Sequence, residues 1–229
     1  MQVHWLEQCL EDVRRESDWL SHDELERLSA MRVPKRRDDW RLGRWTAKQA
    51  VARFLAISRD PSNLTAIEIR PADSGAPEVY LRGSAAPVSI SISHRDGRAA
   101  CAIAAAGSIL GCDLEVVEPR CDAFITDYFT ADEQGLVAGL LQGEKFRLLG
   151  LLWSAKESTL KALREGLRLD PRGIEVGLGE NFAEPGVWHP LVTRSARGTF
   201  QGWYQWDCDV VRTLVCEPAC SSPPIIRPD

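Results

Sequence analysis

The sequence predicts an α+β fold made of two related halves, each with a long helix packed on a small, mostly antiparallel sheet. Three observations predict it. A run of helical segments followed by a run of strand-like segments occurs twice along the 229 residues. Each run contains one long segment with apolar positions at helical spacing. The strand-like segments alternate apolar and polar residues and are separated by turn residues. The break falls near Glu115–Pro119, giving a first half over 1–115, a second over 116–217 and a Pro/Ser-rich tail over 218–229 expected to be flexible.

The elements follow in order. Residues from about His4 to Trp19 hold a strand or a short helix. Ser21 opens a helix as N-cap, and Glu24 three residues later completes a capping box. Pro34 suits the first position of a long helix reaching about Leu55. Leu64–Arg70, Glu78–Leu81, Val88–Ser93, Arg98–Ala105 and Ile109–Val116 read as strands, the last two joined by a turn at Gly107. In the second half, Cys121–Tyr128 and Ala131–Leu141 are helical, with Thr130 and Glu133 forming another capping box. Glu144–Arg164 is a long helix ending at Gly166. Gly173–Leu178, Gly198–Asp207 and Val210–Glu217 read as strands. No internal sequence repeat is evident.

Composition narrows the function classes. The net charge of −5 argues against a general nucleic-acid binder. Seven cysteines, an odd number with no CxxC pair, suggest reduced thiols and a cytoplasmic location rather than a disulfide framework. The N-terminal stretch is too charged for a signal peptide, and no apolar run approaches a membrane span. Loops of the GxxxxGK[ST] and GxGxxG kinds and the HExxH and GxSxG motifs are absent, so a nucleotide-like ligand would be held by side chains.

Four features bear on chemistry. Asp113 and Glu115, two residues apart in Gly111–Glu115 (GCDLE), fall on one face of a strand. In isolation this reads as an exposed strand face; a divalent cation would relieve the repulsion between them. Trp153, Glu157 and Lys161, four residues apart in WSAKESTLK, share one helical stripe. Two readings are open there: an ordinary Glu157–Lys161 pair, or Glu157 as third metal ligand or general base with Lys156 and Lys161 holding phosphate. Ser93 and His94 end a strand and enter a turn, where a lone histidine is usually a bystander but can offer donors to phosphate. No third member of a hydrolase triad accompanies them. Finally, Arg37, Arg41, Arg44 and Lys48 fall along one helix, a cationic surface suited to a solvated face, a polyphosphate or an acidic partner.

Taken together, the chain resembles a 4′-phosphopantetheinyl transferase of the surfactin-synthetase-activating type. The matching pieces, in the family's order, are RRDDWRLGRWTAKQAV, the Gly75-Ala76-Pro77 turn, SISHRDGRAACAIA, GCDLEVVEPR, YFTADEQ and WSAKESTLKAL, spanning roughly Lys35 to Leu178. The resemblance implies two α/β subdomains related by a pseudo-twofold axis, in a monomer. It implies transfer of the phosphopantetheine arm of coenzyme A to a serine of an apo acyl or peptidyl carrier protein, with adenosine 3′,5′-bisphosphate leaving. By motif position it makes Asp113, Glu115 and Glu157 ligands of Mg²⁺, with Mn²⁺ as the other candidate. Glu157 and Lys161 become the catalytic pair, and Lys156 and Lys161 contact the pyrophosphate. Ser93, His94, Arg44 and Lys48 hold the phosphates at the adenosine end. Glu133 matches an acidic family position and by itself reads as a capping residue. Two departures stand out: Ala76 where the family often has lysine, and Arg95 where a small residue is common. The alternatives are a non-catalytic relative that binds coenzyme A or a carrier protein, and a metal-dependent nucleotide hydrolase.

Overall fold

Each half of the chain is organised around a 21-residue helix. The computed structural model describes residues 1–179 and 184–226. The chain divides at Leu110/Gly111: Met1–Leu110 and the segment from Pro224 form one unit, and Gly111–Pro223 the other. The division lies five residues before the position expected from the sequence, and it places Asp113 and Glu115 in the second unit.

The first unit contains β1 (His4–Cys9), α1 (His22–Ser29), α2 (Pro34–Phe54), α3 (Pro61–Thr65), β2 (Ile67–Pro71), β3 (Pro77–Leu81), β4 (Ser84–Ala85), β5 (Val88–Arg95) and β6 (Arg98–Ala105). The second contains β7 (Ile109–Val116, crossing the division), α4 (Asp122–Tyr128), α5 (Ala131–Ala138), α6 (Gln142–Ala162), β8 (Glu175–Leu178), β9 (His189–Ser195), β10 (Gly198–Asp207) and β11 (Val210–Glu217). A short β12 (Ile225–Ile226) returns to the first unit and pairs in parallel with β1, His4 opposite Ile225. Part of the tail expected to be flexible is therefore held in a sheet; residues 227–229 lie outside the described residues.

The first unit's main sheet has the order β12-β1-β6-β5, with β2-β3-β4 as a separate sheet. β5 and β6 form a hairpin closed by Asp96-Gly97, both at positive φ (48° and 73°), the conformation a two-residue turn needs to match strand twist. Ala47, Ala50 and Val51 of α2 pack with Ile90, Cys101 and Ile103 of that hairpin. The second unit's sheet runs β7-β11-β10-β9-β8. Leu151 and Ala155 of α6 pack on it with Tyr204, Val211 and Val215. A second cluster joins Leu148, Leu149 and Leu152 to Ile125 of α4, Phe129 and Val137 of α5.

Two expectations are corrected, and one strand is added. β7 is not a partner of β6 across the Gly107 turn; it is the edge strand of the second unit's sheet, beside β11. Leu64 belongs to α3, capped by Asp60, and the strand starts at Ile67. β9 went unread because its HPLVTRS sequence lacks clean alternation.

The expectation of no internal repeat is also corrected. Trp45-Thr-Ala-Lys48-Gln49-Ala-Val-Ala-Arg53 and Trp153-Ser-Ala-Lys156-Glu157-Ser-Thr-Leu-Lys161 lie 108 positions apart, and each lysine is the fifteenth residue of its helix. The same interval relates Leu6-Glu7 of β1 to Leu114-Glu115 of β7. Strand order agrees: β1 lies beside β6 and then β5, β7 beside β11 and then β10.

The repeat is fixed by one buried interaction in each unit. Lys48 is 0% exposed, and its ammonium pairs with the carboxylate of Glu24 and donates to the carbonyls of Trp19 (2.9 Å) and Leu64 (3.0 Å). Lys156, also 0% exposed, pairs with Glu133 Oε2 (2.9 Å) and donates to Pro171 and Ile174 carbonyls (2.9 Å each). Glu24 and Glu133 are the capping-box glutamates of α1 and α5. Each lysine also stands near an aromatic face preceding the cap, 5.7 Å from Trp19 and 5.8 Å from Phe129. Burial pulls both ammonium groups below their ordinary pKa, and the paired glutamate opposes the shift. An ammonium has three donors, and in both lysines all three are used. Removing one member of such a pair leaves a buried charge uncompensated, so Lys48→Met is expected to lose about 3–5 kcal/mol of unfolding free energy. In chemical denaturation, Lys35→Met, which breaks an exposed Lys35–Asp39 contact, should change stability by less than about 0.5 kcal/mol.

Candidate active site

The acidic cluster lies within the second unit, on β7 and α6. These two elements approach so closely that a Cβ on Gly111 would lie 1.8 Å from the Ser158 carbonyl oxygen and 2.7 Å from the Ala162 nitrogen. Only glycine permits that approach. It brings Cys112–Glu115 against the last turns of α6. Hydroxyl groups fix the helix on the neighbouring strands: Ser154 and Ser158 both meet Thr213 Oγ1 (2.8 and 2.7 Å), and Thr159 donates to Thr193 (2.8 Å).

Along β7 the expected alternation is not observed, because residues 110–115 are all buried. Asp113 is 4% exposed and Glu115 8%. Each carboxylate is charge-compensated. Lys161 Nζ meets Asp113 Oδ1 at 2.7 Å and donates to the Cys112 carbonyl at 3.1 Å. Arg120 Nη2 meets Glu115 Oε2 at 3.0 Å, its other nitrogen meets Glu118 at 3.0 Å, and its guanidinium lies over the Phe124 ring. Arg120 was overlooked in the sequence, although it ends the GCDLEVVEPR segment; the signal was an arginine five residues beyond Glu115.

Glu157 is half-buried and has no hydrogen-bond or ion-pair partner among the described residues. Its carboxyl pKa is raised, first by burial and then by the nearby charges of Asp113 and Glu115, with Lys161 opposing. Lys161 also shifts upward, which for an amine favours the charged form. Burial alone would depress its ammonium, but Asp113 and then Glu157 outweigh this and hold the pKa above its ordinary value. The four groups therefore act on one another as a cluster. The donors are hard oxygens of the kind a divalent cation prefers. Among the described residues, however, no three acidic, histidine or cysteine side chains stand together as a ready metal cage. Lys161 and Arg120 occupy two of the carboxylates instead.

Other predicted residues separate. Lys156 follows the other face of α6 into the Glu133 pair, with no donor left for phosphate, which corrects its expected pyrophosphate contact. Lys48 is corrected for the same reason. In the first unit, Arg44 is largely buried between Trp40, 5.1 Å below its guanidinium, and Glu24, and burial lowers its pKa to about 10. Ser93 is buried and His94 exposed, so these neighbours on β5 do not share a face. A Cβ on Gly43 would lie 3.7 Å from the His94 ring, which puts His94 beside α2 one residue from Arg44. Among its described residues the first unit holds no copy of the acidic cluster. Trp5, Gln49 and Arg53 occupy the positions of Asp113, Glu157 and Lys161.

Residues 109–188 match the 4′-phosphopantetheinyl transferase superfamily. The match begins at β7 and runs through α4, α5 and α6, so it contains both elements that carry the cluster, β7 and α6. The chain is 26% identical over 150 residues to the 4′-phosphopantetheinyl transferase HetI of a Nostoc species, covering 65% of this chain and 61% of the relative. It is also 46% identical to the fatty acid synthase subunit alpha of Schizosaccharomyces pombe across 24% of this chain and 4% of that protein. The chain thus spans less than two thirds of either relative. Among the described residues, no helix is long and apolar enough to cross a membrane.

The raised Glu157 pKa gives a signed prediction. The folded state holds the Glu157 proton more tightly than the unfolded chain, so ionising this carboxyl opposes folding. In metal-free buffer, Glu157→Gln should melt at a higher temperature than wild type above the raised pKa. That difference should close as pH falls toward the ordinary glutamate value of 4.5. Melting curves across pH check both the sign and the window.

Proposed function

We propose that the protein transfers the 4′-phosphopantetheine arm of coenzyme A to a serine of an apo acyl or peptidyl carrier protein and releases adenosine 3′,5′-bisphosphate. The observation that carries this reading is the grouping of Asp113, Glu115, Glu157 and Lys161 inside the segment that matches the transferase superfamily. A glutamate with a raised pKa, no bonded partner and a lysine beside it suits proton transfer next to a polyphosphate.

The residues divide the work as follows. Asp113, Glu115 and Glu157 are the side chains that would hold Mg²⁺, or Mn²⁺, which has the same taste for oxygen ligands. When bound, the ion supplies charge neutralisation on the diphosphate. Glu157 accepts the proton of the carrier serine, directly or through water, and its raised pKa makes that transfer less uphill than for an ordinary carboxylate. Lys161 has a fully charged ammonium to offer the diphosphate. Ser93, His94 and Arg44 serve the phosphates at the adenosine end. The exposed side chains of Lys35, Arg36 and Arg37 on α2 favour an acidic carrier despite the net charge of −5. We place the protein in the cytoplasm as a monomer. The non-catalytic alternative is disfavoured because all three carboxylates and Lys161 are retained.

Mixing the protein with coenzyme A, Mg²⁺ and a panel of apo carriers tests the reading by mass spectrometry. At least one carrier should gain one phosphopantetheine arm at a single serine. Glu157→Gln and Asp113→Ala should each slow transfer by at least about a hundredfold. Consumption of coenzyme A without carrier modification would indicate a hydrolase, and wild-type rates in both variants would remove the assignments.

A further inference from the structure

Lys156 precedes the candidate base and, with Lys161, is expected from the sequence to contact phosphate. We propose instead that Lys156 and Glu133 form a positioning pair: they fix the rotation of α6 so that Glu157 is presented to Asp113 and Glu115, and they hold no part of the substrate. This inference rests on the transferase reading above.

The first argument is saturation. Three donors of Lys156 meet three protein acceptors, at 2.9 Å each, in a site with no solvent exposure. A phosphate contact would require breaking one of these bonds and reopening the interior. The second is helical geometry. Adjacent helix residues point about 100° apart, so a rotation that aimed Lys156 at a ligand would carry Glu157 away from β7. With Lys156 held under the Pro171 and Ile174 carbonyls, Glu157 is committed to the β7 side. The third is the internal repeat. Lys48 makes the same three kinds of contact with Glu24 and two carbonyls, but the next residue is Gln49 and no acidic cluster accompanies it. The device therefore exists in this chain apart from any acidic cluster.

Glu133 is the sensitive member. Its Oε2 serves both the Lys156 ammonium and the Thr130 N–H (2.9 Å), while buried Oε1 makes no hydrogen bond among the described residues. In the first unit the corresponding Oε1 of Glu24 accepts from the Ile69 N–H at 3.3 Å. The second unit's pair thus has fewer supporting bonds, and its geometry depends more on the charge itself.

The test compares Lys156→Met and the near-isosteric Glu133→Gln with Leu149→Ala, a fully buried leucine of the same helix that serves as a stability control. Two quantities are measured on the full chain at a temperature where all are folded. They are the coenzyme A dissociation constant by calorimetry with chelator present, and the single-turnover rate of arm transfer to an apo carrier with Mg²⁺. A positioning pair leaves the dissociation constant within about twofold of wild type. It slows transfer by at least about tenfold more than Leu149→Ala does, as misplacing a catalytic group by an ångström should. Glu133→Gln, which preserves side-chain shape, keeps the test decisive if Lys156→Met does not fold. A dissociation constant weakened tenfold or more makes Lys156 a phosphate ligand and overturns the inference. A rate loss no larger than that of Leu149→Ala makes the pair merely structural and overturns it too. Failure of the wild-type protein to modify any carrier removes the transferase reading and this inference with it, a result distinct from either of those.

Discussion

Burying an ammonium group in a protein interior is unfavourable unless each of its donors finds an acceptor, and this chain does it twice at equivalent places. In both units the lysine gathers three separated pieces of chain: the glutamate capping one short helix, the long helix that carries the lysine, and carbonyls of the segments around them. A contact of this kind sets the rotation of the long helix more firmly than apolar packing, because a hydrophobic surface tolerates small slips that a hydrogen-bonded charge does not. The remaining features of the second unit assume that rotation.

On that scaffold the two units diverge through a few substitutions. The glycine at position 111 lets α6 and β7 meet backbone to backbone, and Asp113 and Glu115 follow it into the interface. Glu157 arrives from α6 beside them, one residue beyond the buried lysine. In the first unit the corresponding positions hold Trp5, Gln49 and Arg53, which cannot make an anionic cluster. The second unit thus accepts mutual repulsion among carboxylates, partly offset by Lys161 and Arg120. Repulsion of that kind opposes folding and is commonly concentrated where chemistry requires it.

Much of this was legible in the sequence, for definable reasons. The capping boxes at Ser21–Glu24 and Thr130–Glu133, the N1 proline of α2 and the strand-forming runs of β10 and β11 are local signals, and local signals read well. The acidic residues of the cluster were found from their spacing and from a family resemblance. What failed was non-local. β7 follows β6 through a short turn, yet its sheet partner lies about a hundred residues away, and nothing in the turn says so. Lys48 was read into a cationic helix surface and Lys156 as a phosphate contact, because a charged residue on a helix usually faces solvent or ligand; a helix enclosed on nearly every face offers no sequence cue to which charge is swallowed. The repeat escaped notice because few identities connect the two WxAK segments, and the likeness becomes plain only when both lysines are seen in equivalent contacts.

The claim on which the functional account turns is that Asp113, Glu115 and Glu157 act together as one cation-binding group. The most direct measurement is anomalous diffraction from a crystal of the full chain grown with coenzyme A and Mn²⁺. The account predicts one Mn²⁺ peak within coordination distance of carboxylate oxygens of all three residues. A peak elsewhere in the protein, with these carboxylates still paired to Lys161 and Arg120, would contradict it.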